Sequence, residues 1–470
     1  MLADRLARYA HTLSFEHLPY PVVHEVKRRL LDSFACAFGA WDAEPCTIVR
    51  RIAQSVQLKQ GATVWGTSQK TLPDLATFAN GTLVRFLDFN DTYLSKEPAH
   101  PSDNLAAVLA AGETIGASGQ KIIEAAALAY EIHCRLCDAA ALRPRGWDHV
   151  TYGAFSSALA VAKVLGLQEA QMLQAINLAG VANVALRQTR VGHLSMWKAC
   201  AFANAARNGV FAAYLAREGM IGPSPIFEGE KGFMALVSGS FDLPQLGGEF
   251  LPPSGQVPFK ILDTYIKAYP VEYHAQTAVE AALAVRSDMI QTEGPGVISR
   301  IQEIEIGSYD VAIEIIGRDP EKWHPTTRET ADHSFPYCVA VALLDGQVTV
   351  DSFNHQHLQD PLLQQLMQKI RVVAQPELTD RYPQELPTRL RVWTTSGKEY
   401  HKEVTFPRGH PRNPLSDQEI EAKFCALAAQ WLNRSRIDQV IRSTWNLEST
   451  QDIREVLALF NMKSHVASVV

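Results

Sequence analysis

Between two apolar, helix-patterned runs the chain carries a short polar insert. It reads Arg85-Phe-Leu-Asp-Phe-Asn-Asp-Thr-Tyr-Leu-Ser-Lys-Glu-Pro-Ala-His-Pro-Ser-Asp-Asn104 and concentrates Asp88, Asp91, Thr92 and His100 in one place. An imidazole titrates near neutrality, so His100 is the leading general acid or base. If the helix before the insert runs on to Thr92, Asp88 and Thr92 share a face at i and i+4, with Asp91 at i+3. Two aspartates at that spacing repel unless one meets solvent, a cation or a substrate hydroxyl. Pro98 and Pro101 then bend the chain, and Ser102 or Asp103 caps a helix beginning at Asn104. The free N–H groups of such a helix start seat an anion, with His100 beside it. The plainer reading is that His100 orders the Pro98–Pro101 turn while Asp88 and Thr92 brace a bundle.

Other residues suit the same chemistry. Lys198 falls in the first turn of a helix capped near Ser195, where the dipole disfavours a cation. It is either an inward-facing anion ligand or an exposed helix start. Lys267, in Tyr265-Ile-Lys-Ala-Tyr-Pro270 at an expected domain junction, is either a site cation or a surface lysine. Glu272 and His274 follow it. Tyr337 starts a helix after Asp332-His-Ser-Phe-Pro336 and is either a proton donor or a core aromatic. Asp148 and His149 beside Arg145 suggest a pocket, and Asp332-His333 reads as either a site pair or a helix cap. Lys198, Lys267, His100 and Arg145 or Arg190 around one cleft would suit a substrate with several carboxylates.

Composition bounds these readings. The 470 residues are 47% hydrophobic and 20% charged with net charge −6, enough interior for two or three domains and no general attraction for nucleic acid or anionic membrane. The N-terminal residues have charges at helical spacing rather than an unbroken apolar run, and no stretch reaches the roughly 20 apolar residues of a membrane helix. A cytoplasmic protein is expected. Seven scattered cysteines fit reduced thiols. Cys134-x-x-Cys137 lies in a helical pattern with no second C-x-x-C, short of the ligands a zinc site or iron–sulfur cluster requires, so neither metal nor cofactor is expected.

The elements that must position these residues are mainly helical up to about residue 262. Long apolar faces run through Val22–Gly39, Leu72–Leu87, Asn104–Ile115, Lys121–Ala140, Ala154–Leu165, Glu169–Ala182 and Trp197–Arg217. Their alanine content predicts close helix packing. After Pro252-Pro253 the texture changes: Ile301–Tyr309 alternates like a half-exposed strand and Arg389–Phe406 reads as a hairpin turning at Ser396-Gly397. Helices at His274–Arg286 and Tyr337–Leu344 make residues 263–410 an α+β unit. From 411 a helical tail returns, with Ser416 and Glu419 placed as a capping box.

The insert resembles the MmgE/PrpD family, and the resemblance continues along nearly the whole chain. It runs through Gly146-Trp-Asp-His-Val150, His193-Leu-Ser-Met-Trp-Lys-Ala199, Gly222-Pro223, Ile226-Phe-Glu-Gly229, Lys267-Ala-Tyr-Pro-Val-Glu-Tyr-His-Ala-Gln-Thr277, Thr327-Arg-Glu-Thr-Ala-Asp-His-Ser-Phe-Pro-Tyr337 and Gly409-His410. The resemblance implies a mainly α fold: a large helical-bundle domain, 1–262 and 411–470, with the α+β segment 263–410 inserted as a lid. It implies a homodimeric, cofactor-independent hydro-lyase that dehydrates 2-methylcitrate, with cis-aconitate decarboxylation as the related alternative and a non-catalytic tricarboxylate-binding homologue as the third. Implied catalytic residues are His100, Asp88, Lys198, Lys267 and Tyr337; implied substrate ligands are Asp91, Thr92, Ser102, Arg145, His149 and Glu272. Some decarboxylases of the family have histidine where Glu272 stands, which favours dehydration.

Overall fold

The computed structural model describes residues 1–192, 194–251 and 255–462; His193 and the Pro252-Pro253 texture change lie outside them. The chain packs as two units, Met1–Thr264 with Ser416–Val470, and Tyr265–Leu415.

In the first unit seven helices carry the expected apolar runs, α2 (Tyr20–Gly39), α4 (Pro73–Phe86), α5 (Leu105–Ile115), α6 (Gly119–Ala139), α7 (Thr151–Val164), α8 (Glu169–Ala182) and α9 (Trp197–Arg217), and α1 (Leu2–Thr12) and α3 (Glu44–Gln54) join them. Residues 105 to 113 of α5 are all buried, as are all but one of the residues of α7, so these helices have no solvent stripe. Small residues permit that. A β-carbon on Gly209 of α9 would stand 2.8 Å from the Ala158 amide nitrogen and 2.9 Å from the Ala154 carbonyl oxygen of α7, so the two backbones nearly touch. Cys134 and Cys137 are fully buried in α6.

The second unit is built on a four-stranded sheet. Its strands are β1 (Ile301–Ser308), β2 (Ile370–Ala374), β3 (Thr388–Thr394) and β4 (Glu399–Val404), in the order β2-β1-β3-β4. β1 pairs parallel with β2 and antiparallel with β3, and β3–β4 is the expected hairpin, turning through Gly397 at φ 82°. One expectation changes: β1 is not half exposed, since Ile304 to Ser308 are buried without alternation. It is an inner strand, with ladder partners on both edges. Helices α10 (Gln276–Glu293) and α11 (Phe335–Asp345) pack against each other in this unit.

The tail adds α12 (Asp417–Ala428) and α13 (Arg434–Trp445) to the first unit. Ser416 and Glu419 form the capping box, and Phe424 of α12 meets Phe38 of α2 edge to face at 6.0 Å. Lys423 of α12 reaches Asp32 of α2 at 2.6 Å and the carbonyl of Phe89 at 2.7 Å. The tail thereby ties down the polar insert.

Because the Gly209 contact is backbone on backbone, Gly209→Ala must push α9 from α7. It is expected to destabilise the protein by about 1–3 kcal/mol, read as a lowered urea midpoint with unchanged m-value; an unchanged midpoint would show that the helices have room to part.

Candidate active site

The helix before the insert does not reach Thr92. α4 stops at Phe86, and Asp88 adopts φ 50°, the only positive φ at a non-glycine residue among those described. Asp88 and Thr92 are therefore not helix-face neighbours. An aspartate tolerates the left-handed region better than most residues, but at some cost, and that cost is met by what its carboxylate touches. Arg85 Nη1 lies 3.0 Å from Oδ1 and Lys198 Nζ 3.0 Å from Oδ2. All three side chains are buried. Lys198, second residue of α9, thus faces inward, and the anion it meets is Asp88. Ser195 contributes a carbonyl to the Lys198 amide rather than a side-chain cap.

His100 stands against the same arginine. Arg85 Nη2 is 3.0 Å from His100 Nε2, while His100 Nδ1 faces the Asp91 carbonyl at 2.7 Å and Thr92 Oγ1 at 3.3 Å. The His149 ring lies 5.8 Å from that of His100, edge to face. A bridge between Tyr93 and Ala99 closes the insert into a loop and brings His100 back over residues 91 and 92.

Asp91 and Ser102 hold this loop together from inside. The Asp91 carboxylate accepts the Ser102 amide at 3.0 Å and the Tyr130 hydroxyl at 2.6 Å, with Arg29 Nε at 3.6 Å. Asn90 donates to Ser102 Oγ at 2.9 Å and to Asp103 Oδ1 at 2.8 Å. Neither Ser102 nor Asp103 caps a helix: residues 101–104 form a 3₁₀ turn and α5 begins at Leu105 without a side-chain cap. Burial raises the pKa of Asp103 to about 7, against the pull of Arg85, whose Nε is 3.9 Å away. Behind the turn Asn104 takes hydroxyl hydrogens from Ser156 and Ser157 of α7.

The Asp148-His149 pair is also corrected. Arg145 is exposed; Arg190, from the loop before α9, reaches Asp148 at 3.0 Å. Burial pushes the Asp148 pKa up, but Arg190 and His149 outweigh it, and the carboxyl ends below its ordinary range. Burial holds His149 well below the usual imidazole value despite Asp148, so it is neutral at pH 7.

The remaining residues predicted from sequence lie in the second unit. Lys267 is fully buried there. Glu272 caps the turn 273–275 by accepting the His274 amide at 2.7 Å, and its own amide donates to the Asp332 carbonyl. His274 Nδ1 meets the Tyr309 hydroxyl, a buried tyrosine that the sequence reading passed over. His333 Nδ1 is 2.5 Å from Asp332 Oδ1. Tyr337 is buried at the start of α11 and its hydroxyl donates to the Ser352 carbonyl at 2.7 Å, the arrangement of a satisfied core tyrosine. In the first unit the sequence reading also passed over Arg85, although Arg85 and Asp88 at i and i+3 were visible as an opposite-charge pair.

The MmgE/PrpD N-terminal domain matches residues 4–246 and the MmgE/PrpD C-terminal domain residues 269–447. The chain belongs to the MmgE/PrpD family. It is 30% identical to a 2-methylcitrate dehydratase of Escherichia coli strain K12 over 403 residues, covering 82% of this chain and 81% of that protein. It is 30% identical to a 2-methylcitrate dehydratase of Cupriavidus necator over 401 residues, with 82% and 81% covered. It is 28% identical to a cis-aconitate decarboxylase of Mus musculus over 473 residues, covering 96% of this chain and 91% of that one. No helix among the described residues is long and apolar enough to cross a membrane.

Asp88→Asn keeps a side chain that tolerates positive φ but takes the shared anion from two buried cations. Removal of one partner of a buried pair costs about 3–5 kcal/mol, so the variant should unfold at clearly lower urea. A loss below about 1 kcal/mol would mean that Arg85 and Lys198 find other acceptors.

Proposed function

We propose that the protein is a hydro-lyase that dehydrates 2-methylcitrate to 2-methyl-cis-aconitate, and that it needs no added cofactor. The observation that carries this reading is the chain Lys198–Asp88–Arg85–His100: two buried cations from two helices and an imidazole gathered around the polar insert, in a chain whose relatives include dehydratases of this substrate. Elimination of water from a β-hydroxy tricarboxylate breaks the C–H bond next to a carboxylate. Charge builds on that carboxylate, and fixed cations placed there lower the barrier. The proton passes to a base, the C=C bond forms as the tertiary C–O bond breaks, and an acid protonates the hydroxyl as it leaves. In this reading His100 is the base, Lys198 binds a carboxylate, and Asp88 keeps Lys198 in place. His149 is a candidate acid only through a proton taken up during turnover, because it is held neutral.

Cis-aconitate decarboxylation is the second reading, favoured by the fuller coverage of the decarboxylase relative. One experiment separates the two: the protein, in buffer containing EDTA, is incubated with 2-methylcitrate, citrate and cis-aconitate while NMR follows the products. Water loss from 2-methylcitrate without gas supports the dehydratase; carbon dioxide release from cis-aconitate replaces it. In the preferred assay His100→Ala should lower kcat by about a hundred- to ten-thousandfold with KM nearly unchanged. Lys198→Ala should weaken the specificity constant about ten- to a hundredfold, the worth of a charge-assisted carboxylate contact. A folded His100→Ala protein with most of its kcat would remove His100 from catalysis.

We propose further that the protein acts as a homodimer. The first unit exposes Leu186 at 62%, Trp197 at 47% and Ile221 at 80%, and a cavity of about 480 Å³ opens between Leu186 and Trp197. Exposed apolar side chains such as Leu186 and Trp197 around one cavity mark an interface. Light scattering should give twice the single-chain 51.9 kDa, and Leu186→Asp should shift the mass toward one chain. A wild-type monomer at micromolar concentration would rule the dimer out.

A further inference from the structure

Arg85 controls when the proposed base can act. A guanidinium has only donors and keeps its proton at any working pH. With Arg85 Nη2 at 3.0 Å, His100 Nε2 must therefore be an acceptor, and the imidazole is neutral with its hydrogen on Nδ1. That hydrogen has an acceptor waiting, the Asp91 carbonyl at 2.7 Å. The lone pair that would take a substrate proton is the one Arg85 covers.

The hold of Arg85 on that lone pair is exchangeable. Among the contacts described, Arg85 also meets the Asp88 carboxylate at 3.0 and 3.4 Å and Asp103 at 3.9 Å, the last too long for a hydrogen bond. A carboxylate offers a guanidinium two parallel charge-assisted bonds, stronger than one bond to a neutral imidazole. We propose that Arg85 is a substrate-carboxylate ligand that masks His100 Nε2 and uncovers it when the carboxylate of a tricarboxylate draws the guanidinium away. The C–H proton then moves to Nε2, its electron pair is delocalised toward the carboxylate that Arg85 now holds, and Nδ1–H stays on Asp91. Binding and deprotonation become one coupled event. The inference rests on the hydro-lyase reading for its substrate, but the masked tautomer does not.

Among the described residues, the charged and titratable groups around His100 include Arg85 from α4, Asp88 and Lys198 behind that arginine, and His149 from the loop before α7, while Asp91 meets the ring through its backbone carbonyl. Removing the arginine charge makes the imidazole easier to protonate. A base must be unprotonated, so the acid limb of the kcat/KM profile should move to higher pH in Arg85→Gln and stay in place in Arg85→Lys. KM should rise about ten- to a hundredfold in Arg85→Gln. It should also rise in Arg85→Lys, which cannot make the bidentate contact.

A second readout needs no turnover. In protein labelled with ¹⁵N-histidine, with the His100 signals assigned by their loss in His100→Gln, Nδ1 should carry the hydrogen. Citrate should release Nε2 from its hydrogen bond in the wild type, and in Arg85→Gln Nε2 should be released without citrate. A signal of His100 that ignores citrate and the Arg85 substitution overturns the switch whatever the enzyme turns over, as does an Arg85→Lys protein with wild-type KM. The expected NMR response without turnover of any tricarboxylate would keep the switch and discard the hydro-lyase reading.

Discussion

The carboxylate of Asp88, shared by Arg85 and Lys198, is the contact on which the site depends. Two cations cannot be buried side by side without an anion between them. Placing that anion requires α4 to stop at Phe86 and Asp88 to turn into the left-handed region, which frees the chain to loop out and bring His100 back against Arg85. The strain at Asp88 is stored where the chemistry is proposed, and the two ion pairs repay it.

A second set of buried contacts makes that arrangement rigid. Asp91 is fixed by Tyr130 of α6 and by the Ser102 amide, Asn90 holds Ser102 and Asp103, and Lys423 of the returning tail holds the Phe89 carbonyl. Asp88 and His100 are thus flanked by residues whose polar atoms are used internally. Networks of this kind specify one geometry because a half-satisfied version costs more than an apolar core. Asp91 and Ser102, expected from sequence as substrate ligands, make their described contacts within this second set. Alternating carboxylates in a loop look alike in sequence, and only their partners divide them.

The alanine-rich helices serve the same end. Close approach of α7 and α9, through Gly209, brings the loop that carries Asp148 and His149 near the start of α9 that carries Lys198. Arg190, not Arg145, then meets Asp148, because Arg190 lies in the segment that leads into α9 while Arg145 points to solvent.

Sequence alone located α2 and α4 to α9, since a 3.6-residue apolar period survives any tertiary context that buries one face, but not α3 or where α4 stops. It determined the β3–β4 hairpin from alternation around Ser396-Gly397, and the Ser416–Glu419 cap from local chemistry. It also singled out His100, Asp88 and Lys198 as unusual, because polar groups amid apolar helices must be answered by something. What answers them was left to the tertiary structure. The Asp88–Lys198 pair joins residues 110 positions apart, the His100 tautomer depends on where Arg85 ends, and the burial of Ile304 to Ser308 in β1 depends on two strands that follow it. Tyr337 and Tyr309 show the same limit, since a buried phenol is a core residue or a proton donor according to the partner it finds. Periodicity is a property of neighbours in sequence; ion pairs, tautomers and burial on both faces belong to residues that meet only when the chain has folded.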